Sequence, residues 1–201
     1  MTIQEAIEQA LRESAKITSA PVPVVTEERV AHIIGVLGKR GYVPTAGLAA
    51  IIKDYAAGYG LLLHGDVGHG KTHLLKCLRA GKLYTAEMIC DYGIAHLSVW
   101  LEDTNGEHII IDDLGAEATT CEYGAKEDLM KKVISRRAEL RNVRTYVTTN
   151  LDAAGIIARY GERIMSRLLG MCRPHKVVSP TGKSMRRAVP VKPLDNPAHI
   201  R

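Results

Sequence analysis

Gly65-Asp66-Val67-Gly68-His69-Gly70-Lys71-Thr72 decides how this 201-residue chain is read. An apolar run, Gly60-Leu61-Leu62-Leu63-His64, precedes it, and a segment of helical character, His73-Leu74-Leu75-Lys76-Cys77-Leu78, follows. Strand, glycine-rich loop and helix, with G-x-x-x-x-G-K-T spacing, make a phosphate-binding P-loop. Glycines let successive backbone N–H groups turn inward around a polyphosphate, and the positive end of the following helix adds attraction. The stretch Gly65 to Thr72, with His73 behind it, is therefore the expected cradle of a nucleoside triphosphate. Lys71 is the residue expected to meet the terminal phosphates. The Thr72 hydroxyl is the expected ligand of a Mg²⁺ ion.

Outward from the loop, strands alternate with helices. Leu83 to Cys90 predicts a second strand, and Ile94 to Leu101 a short helix ending before Asn105-Gly106. His108-Ile109-Ile110-Ile111-Asp112-Asp113-Leu114-Gly115 is continuously apolar up to two carboxylates, as expected of a strand buried on both faces. Residues 125–141 predict a long helix with a basic C-terminal half: Lys131, Lys132, Arg136, Arg137 and Arg141. Arg144 to Thr149 predicts a strand ending at Asn150, followed by helices over 152–160 and 161–170 and a last strand at Lys176 to Ser179. Before the loop, Thr2-Ile3-Gln4-Glu5 is a capping box for a helix carrying Ile3, Ala6, Ile7, Ala10 and Leu11. Pro21 and Pro23 break that helix, and Thr26 caps a second one ending near Gly41. A third covers Ala46 to Ala57, with Gly58 as its stop. The pattern predicts an α/β doubly wound, mostly parallel sheet with its ligand at the strand C-termini.

Charge is unevenly placed. The formal net charge is +5, and residues 171–201 carry Arg173, Lys176, Lys183, Arg186, Arg187, Lys192 and Arg201 against Asp195 alone. A basic C-terminal region suits an anionic partner, and a solvated tail is the plain alternative. Aromatics make up 4% of the chain and Phe is absent, so the core must rest on Leu, Ile, Val, Ala and Met. Cys77, Cys90, Cys121 and Cys172 form no C-x-x-C pair, which disfavours a disulfide scaffold or zinc knuckle. The acidic N-terminus is no signal peptide, and no stretch has the ~20 apolar residues of a membrane span. The chain reads as cytoplasmic.

Asp112 and Asp113 stand at the carboxyl end of a buried strand, where ligands bind in such sheets. Asp112 fits the carboxylate that supports Mg²⁺, and Asp113 can polarise an attacking water. Asn150, ending the next strand, is placed to read the γ-phosphate. No N-K-x-D motif follows it, which disfavours a guanine-specific GTPase, and no L-S-G-G-Q-like signature is present. A small-molecule kinase stays open, with Arg163, Arg167 and Arg173 as a lid.

Four motifs in order carry a family resemblance: Gly65 to Thr72, Ile109 to Gly115, Tyr146-Val147-Thr148-Thr149-Asn150-Leu151, and Tyr160-Gly161-Glu162-Arg163-Ile164-Met165-Ser166-Arg167-Leu168. Together they resemble the DnaC/IstB-like branch of AAA+ ATPases, the bacterial and phage helicase loaders and transposition helpers. The resemblance covers about residues 58–187. It implies a P-loop NTPase three-layer sandwich whose lid domain is truncated or absent, binding ATP and Mg²⁺. It implies Walker A at Gly65–Thr72, Walker B at Ile109–Asp113 and a sensor at Asn150. Arg167, with Arg163 beside it, would be the arginine finger of a neighbouring subunit's site in a homo-oligomer. It also implies a replicative helicase or a transposase as protein partner. Gly182-Lys183-Ser184-Met185-Arg186 resembles the family's terminal G-x-S-x-R element. Three departures stand out. Asp113 replaces the commoner Glu and implies slow hydrolysis. The Cys90–Glu107 interval is short for a DNA-gripping insertion, so single-stranded DNA would fall to the helix at 131–141 or the C-terminal region. No large N-terminal partner domain precedes the core, which leaves an arm at 1–44, a core at 45–187 and a tail at 188–201.

Overall fold

Ile109, Ile110 and Ile111 are all buried, because both faces of their strand are covered. The structure, a computed structural model, describes residues 25–45, 47–118, 120–122, 125–127, 129–179, 181, 183 and 184. The expected first helix, the Pro21–Pro23 linker, Arg186 and the tail at 188–201 lie outside them.

The strands are β1 (Gly60–His64), β2 (Lys82–Thr85), β3 (Ile109–Leu114), β4 (Thr120–Glu122), β5 (Ala125–Glu127), β6 (Thr145–Thr149) and β7 (Cys172–Lys176). The helices are α1 (Glu27–Lys39), α2 (Leu48–Ala56), α3 (Lys71–Leu78), α4 (Ala86–Asp91), α5 (Gly93–Asp103), α6 (Leu129–Glu139), α7 (Ala153–Tyr160) and α8 (Glu162–Met171). Five strands form one parallel sheet in the order β2-β3-β6-β1-β7, and β4 and β5 pair as a separate antiparallel hairpin. The expected α/β sandwich is thus the fold. Successive residues feed opposite layers. Leu62, Ile109, Ile111 and Val147 pack with α4 to α8, while Leu61, Leu63, Ile110 and Tyr146 pack with α1 to α3. That two-sided burial is why the strands show no polar alternation.

The order places β6 between β1 and β3, so the strand ending at Asn150 lies between the loop strand and the acidic strand. In register, Leu62 to His64 face Val147 to Thr149, and Ile109 to Ile111 face Thr145 to Val147.

Three expected elements are corrected. The second strand stops at Thr85, whose hydroxyl accepts the Met88 N–H at 3.0 Å and starts α4, so Ala86 to Asp91 are helical. Residues 125–127 are strand, paired with 120–122, and the long helix begins only at Leu129, the first core-facing residue. The last strand is Cys172–Lys176 rather than 176–179. Among the described residues it occupies a sheet edge with β1 as its one neighbour, which lets it hold Pro174.

The basic half of α6 also needs correction. Arg137 is 2% exposed. Its guanidinium donates to Thr145 Oγ1 at 2.9 Å, Thr104 O at 2.8 Å, Glu107 O at 2.9 Å and Arg144 O at 3.3 Å. Burial lowers its pKa to about 10, still charged at neutral pH. Arg137 ties the end of α5 to β6 and is not offered to nucleic acid. Lys132 and Arg136 are exposed on α6, and Arg141 lies past its end.

Candidate functional site

The loop leaves β1 with Gly65 at φ +137°, turns through Gly68 at φ +82° and Gly70 at φ +87°, and enters α3 at Lys71. These angles suit glycine, and the room is occupied besides. A Cβ on Gly65 would lie 2.5 Å from Val177 O, and one on Gly68 would lie 1.9 Å from Ser184 Oγ. The segment beyond β7 therefore lies along the loop. His69 turns into this contact, buried, with Nδ1 3.3 Å from Val177 O, and Val177 donates its N–H to His64 O at 2.8 Å. Ser179, also buried, donates its hydroxyl to Lys183 O. Burial, aided by Lys176, holds the His64 imidazole below its usual pKa. That keeps it neutral at neutral pH beside the loop.

Lys71 is 5% exposed and donates to Gly65 O at 2.7 Å, Asp66 O at 2.9 Å and Asn150 Oδ1 at 2.8 Å. Thr72 Oγ1 donates to Asp112 Oδ1 at 2.7 Å. Residues far apart in sequence, from the start of α3 and the ends of β3 and β6, thus meet beside the loop. Asp113 is also there through a bulge: the β3–β6 register shifts between Ile111 and Leu114, and Asp113 adopts φ +54°. Bulges beside sites re-aim side chains, and Asp is among the few non-glycine residues that tolerate this backbone. Here consecutive carboxylates serve one site, where plain alternation would send one to each face.

Thr148, which sequence reasoning passed over, holds both. Its hydroxyl donates to Asp112 Oδ1 at 2.6 Å and accepts the Asp113 N–H at 2.9 Å, fully buried. Only the register of β6 against β3 reveals that role.

A cleft of about 400 Å³ opens over these groups, lined by Val67, Gly68, Gly70, Lys71, Thr72, His73, Asp113 and Asn150. Its other wall is Gly41-Tyr42-Val43, following α1. Tyr42 stacks on His73, with ring centroids 5.9 Å apart, and Val43 and Val67 are each just over half exposed. This apolar wall also escaped sequence reasoning, because no motif announces it. The cleft lining contains neither Arg163 nor Arg167. Both ride on α8, where Arg163 is exposed and Arg167 donates to Ser135 Oγ on α6.

Thr72 and Asp112 are hard oxygen donors in direct contact, the chemistry Mg²⁺ prefers. Among the described residues there is no cluster of three or more His, Cys, Asp or Glu able to hold a metal alone. Such an ion would take its remaining oxygens from water and a bound phosphate, as Mg²⁺ commonly does. No helix among the described residues is long and apolar enough to cross a membrane.

Loop, carboxylates and strand order define the class as an α/β P-loop NTPase fold. No protein-family model matches the sequence, and no curated protein does. Among solved structures, the crystal structure of the DnaC helicase loader matches with a TM-score of 0.47 and 22% identity, over 80% of this chain and 94% of that one.

Proposed function

We propose that this chain is a slow, Mg²⁺-dependent ATPase of AAA+ type whose site is completed by a second copy, acting in DNA replication as a helicase-loader-like factor. The observation that carries the ATPase assignment is the hydrogen-bonded pairing of Lys71 with Asn150 and of Thr72 with Asp112 at the loop, with Asp113 on the same cleft. Lys71 and the loop amides would hold the triphosphate. Mg²⁺, held by Thr72 and Asp112, would neutralise phosphate charge. Asp113 would orient water and accept its proton, while Asn150 would keep Lys71 and the terminal phosphate in line. The wall Gly41-Tyr42-Val43 would seat the base against Val67.

Arg163 and Arg167 fit a different place. A guanidinium near the γ-phosphate accelerates known NTPases by several orders of magnitude. These arginines lie away from the cleft of their own chain, which supports delivery to a neighbour's cleft. The same placement disfavours a kinase lid closing within one chain. Contact with single-stranded DNA would fall to Lys132, Arg136 and the basic C-terminal residues. The loader role rests on the four ordered motifs.

Mixing tests the shared site. Lys71→Ala and Arg167→Ala proteins, each inactive alone, should regain part of the ATPase activity when combined. Full activity of Arg167→Ala alone would overturn the shared arrangement. A pulldown from host extract in ATP and then ADP should retain a replication protein in a nucleotide-dependent way. Capture of a transposase, or transfer of phosphate to a metabolite, would overturn the loader role.

A further inference from the structure

Glu117 lies just past the acidic strand and is 4% exposed, yet the proposed chemistry does not use it. Its carboxylate is bound on every side. Oε2 accepts the Gly115 N–H at 2.8 Å, and Oε1 accepts the Tyr160 hydroxyl and the Arg159 guanidinium, whose Nη2 lies at 3.2 Å. Arg159 also donates to the Glu117 backbone carbonyl and, through Nε, to Tyr160 Oη at 3.1 Å. Burial and the carboxylate it serves push the Tyr160 phenol above its usual pKa, so it stays a donor.

The two ends of this cluster explain its importance. One end is the turn that follows the bulge. Ala116 N–H donates to Asp113 O at 3.0 Å, and Leu151 packs directly over Gly115. The Gly115 amide held by Glu117 is thus inside the turn that begins at Asp113. The other end is the close of α7, the helix that starts just after Asn150 and leads through Gly161 into α8 with Arg163 and Arg167. A single buried carboxylate ties the Asp113 turn to the helix between the sensor asparagine and the arginines.

We infer that Glu117 is a positioning residue: through Gly115 it holds Asp113 in its left-handed bulge, and through Tyr160 and Arg159 it links that bulge to the α7–α8 junction. This rests on the proposed ATPase function for its kinetic consequence, though not for its structural one. Glu117→Gln keeps the shape but removes the charge facing Arg159 and turns one acceptor into a donor. Tyr160→Phe removes one hydroxyl, which donates to Glu117 and accepts from Arg159, but leaves the carboxylate charge in place and is the milder variant.

The test compares wild type, Glu117→Gln, Tyr160→Phe, Asp113→Asn and the Glu117→Gln/Asp113→Asn double variant, each confirmed folded by circular dichroism. Glu117→Gln should lower kcat for ATP about ten-fold or more while the Kd of a fluorescent ATP analogue stays within about two-fold. Tyr160→Phe should lie between it and wild type. The double variant should be no slower than Asp113→Asn by more than about two-fold, because both act through one carboxylate. Independently of turnover, amide exchange over residues 113–117 and 159–162 should quicken about ten-fold or more in Glu117→Gln, with residues 66–72 unchanged. Losses that multiply, or unchanged exchange at 113–117, would overturn the inference. A wild type that binds ATP without turnover would remove the hydrolysis assignment instead, and the exchange comparison would still decide the role of Glu117.

Discussion

Thr148→Val offers the cleanest test of how the acidic pair is held. The substitution is nearly isosteric at a fully buried position, so it opens no cavity and removes only the hydroxyl. Two bonds go with it: the 2.6 Å donation to Asp112 and the 2.9 Å acceptance from the Asp113 N–H. A hydrogen bond to a charged group contributes about 1.5–3 kcal/mol, and a buried N–H without an acceptor costs about 1–3 kcal/mol. Both involve one hydroxyl and are not fully additive, so a loss of about 3 kcal/mol is expected. Against a typical stability of about 5–15 kcal/mol the protein should stay folded. Asp113 at φ +54° sits in a backbone region that costs about 1–2 kcal/mol, and the Thr148 bond helps offset it. Once released, the turn relaxes and the carboxylate leaves its alignment. Turnover should fall about 10- to 100-fold, or about 1.4–2.8 kcal/mol of barrier. ATP affinity should change less than about three-fold, because Lys71 and the loop are untouched. Urea denaturation, phosphate release and titration with a fluorescent nucleotide measure the three quantities. Thr148→Ser should recover most of each. A stability loss under about 1 kcal/mol with unchanged turnover would refute the role given to this hydroxyl.

Other outcomes follow from the same geometry. Arg137→Met removes the donor shared by three backbone carbonyls and a hydroxyl; it should cost about 2–4 kcal/mol in urea melts, whereas Arg136→Ala should stay within about 0.5 kcal/mol. Gly68→Ala strains a backbone at φ +82° and meets Ser184. It should weaken ATP binding about ten-fold or more by fluorescence titration, and adding Ser184→Gly should recover only part, since the backbone strain remains. Burial pushes the Cys172 thiol from 9.0 up to about 12. The unfolded chain therefore loses this proton first, and stability should fall as pH rises above about 9, by up to about 1.4 kcal/mol per pH unit from this group. Tyr146 and Tyr160, also raised by burial, act in the same direction. Urea melts at several alkaline pH values should show a shallower fall for Cys172→Ala.

The parts legible in the sequence are those whose physics is local. The P-loop is one contiguous turn of glycines between a strand and a helix, and the Ile109–Ile111 run announces two covered faces by lacking alternation. The placement of Asp112 and Asn150 at the carboxyl edge of the sheet was legible because each closes a strand-forming run. What escaped depends on partners distant in sequence. Thr148 braces the bulge at Asp113, and it is indistinguishable from any strand threonine until β6 is laid beside β3. Arg137 read as one more charge in a basic helix, although its spacing from Met130, Val133 and Ile134 already puts it on their face. The last strand was expected at 176–179; that it runs from Cys172 and holds Pro174 depends on an edge position that composition does not show. Thr85 began a helix within an apolar stretch whose β-rich composition read as unbroken strand.

The order of the sheet has a mechanical consequence. Asn150 and the carboxylates stand at the ends of the neighbouring strands β6 and β3, and Lys71 follows β1 across the glycine loop, at the start of α3. The strand ends that carry or lead to them are therefore spaced by the backbone ladder, about 4.8 Å per step. A side-chain substitution can tilt, release or blunt one of these groups, but it leaves the strand ends at their spacing. To change that spacing the chain would have to part a strand from its neighbour, at the cost of the core on both faces.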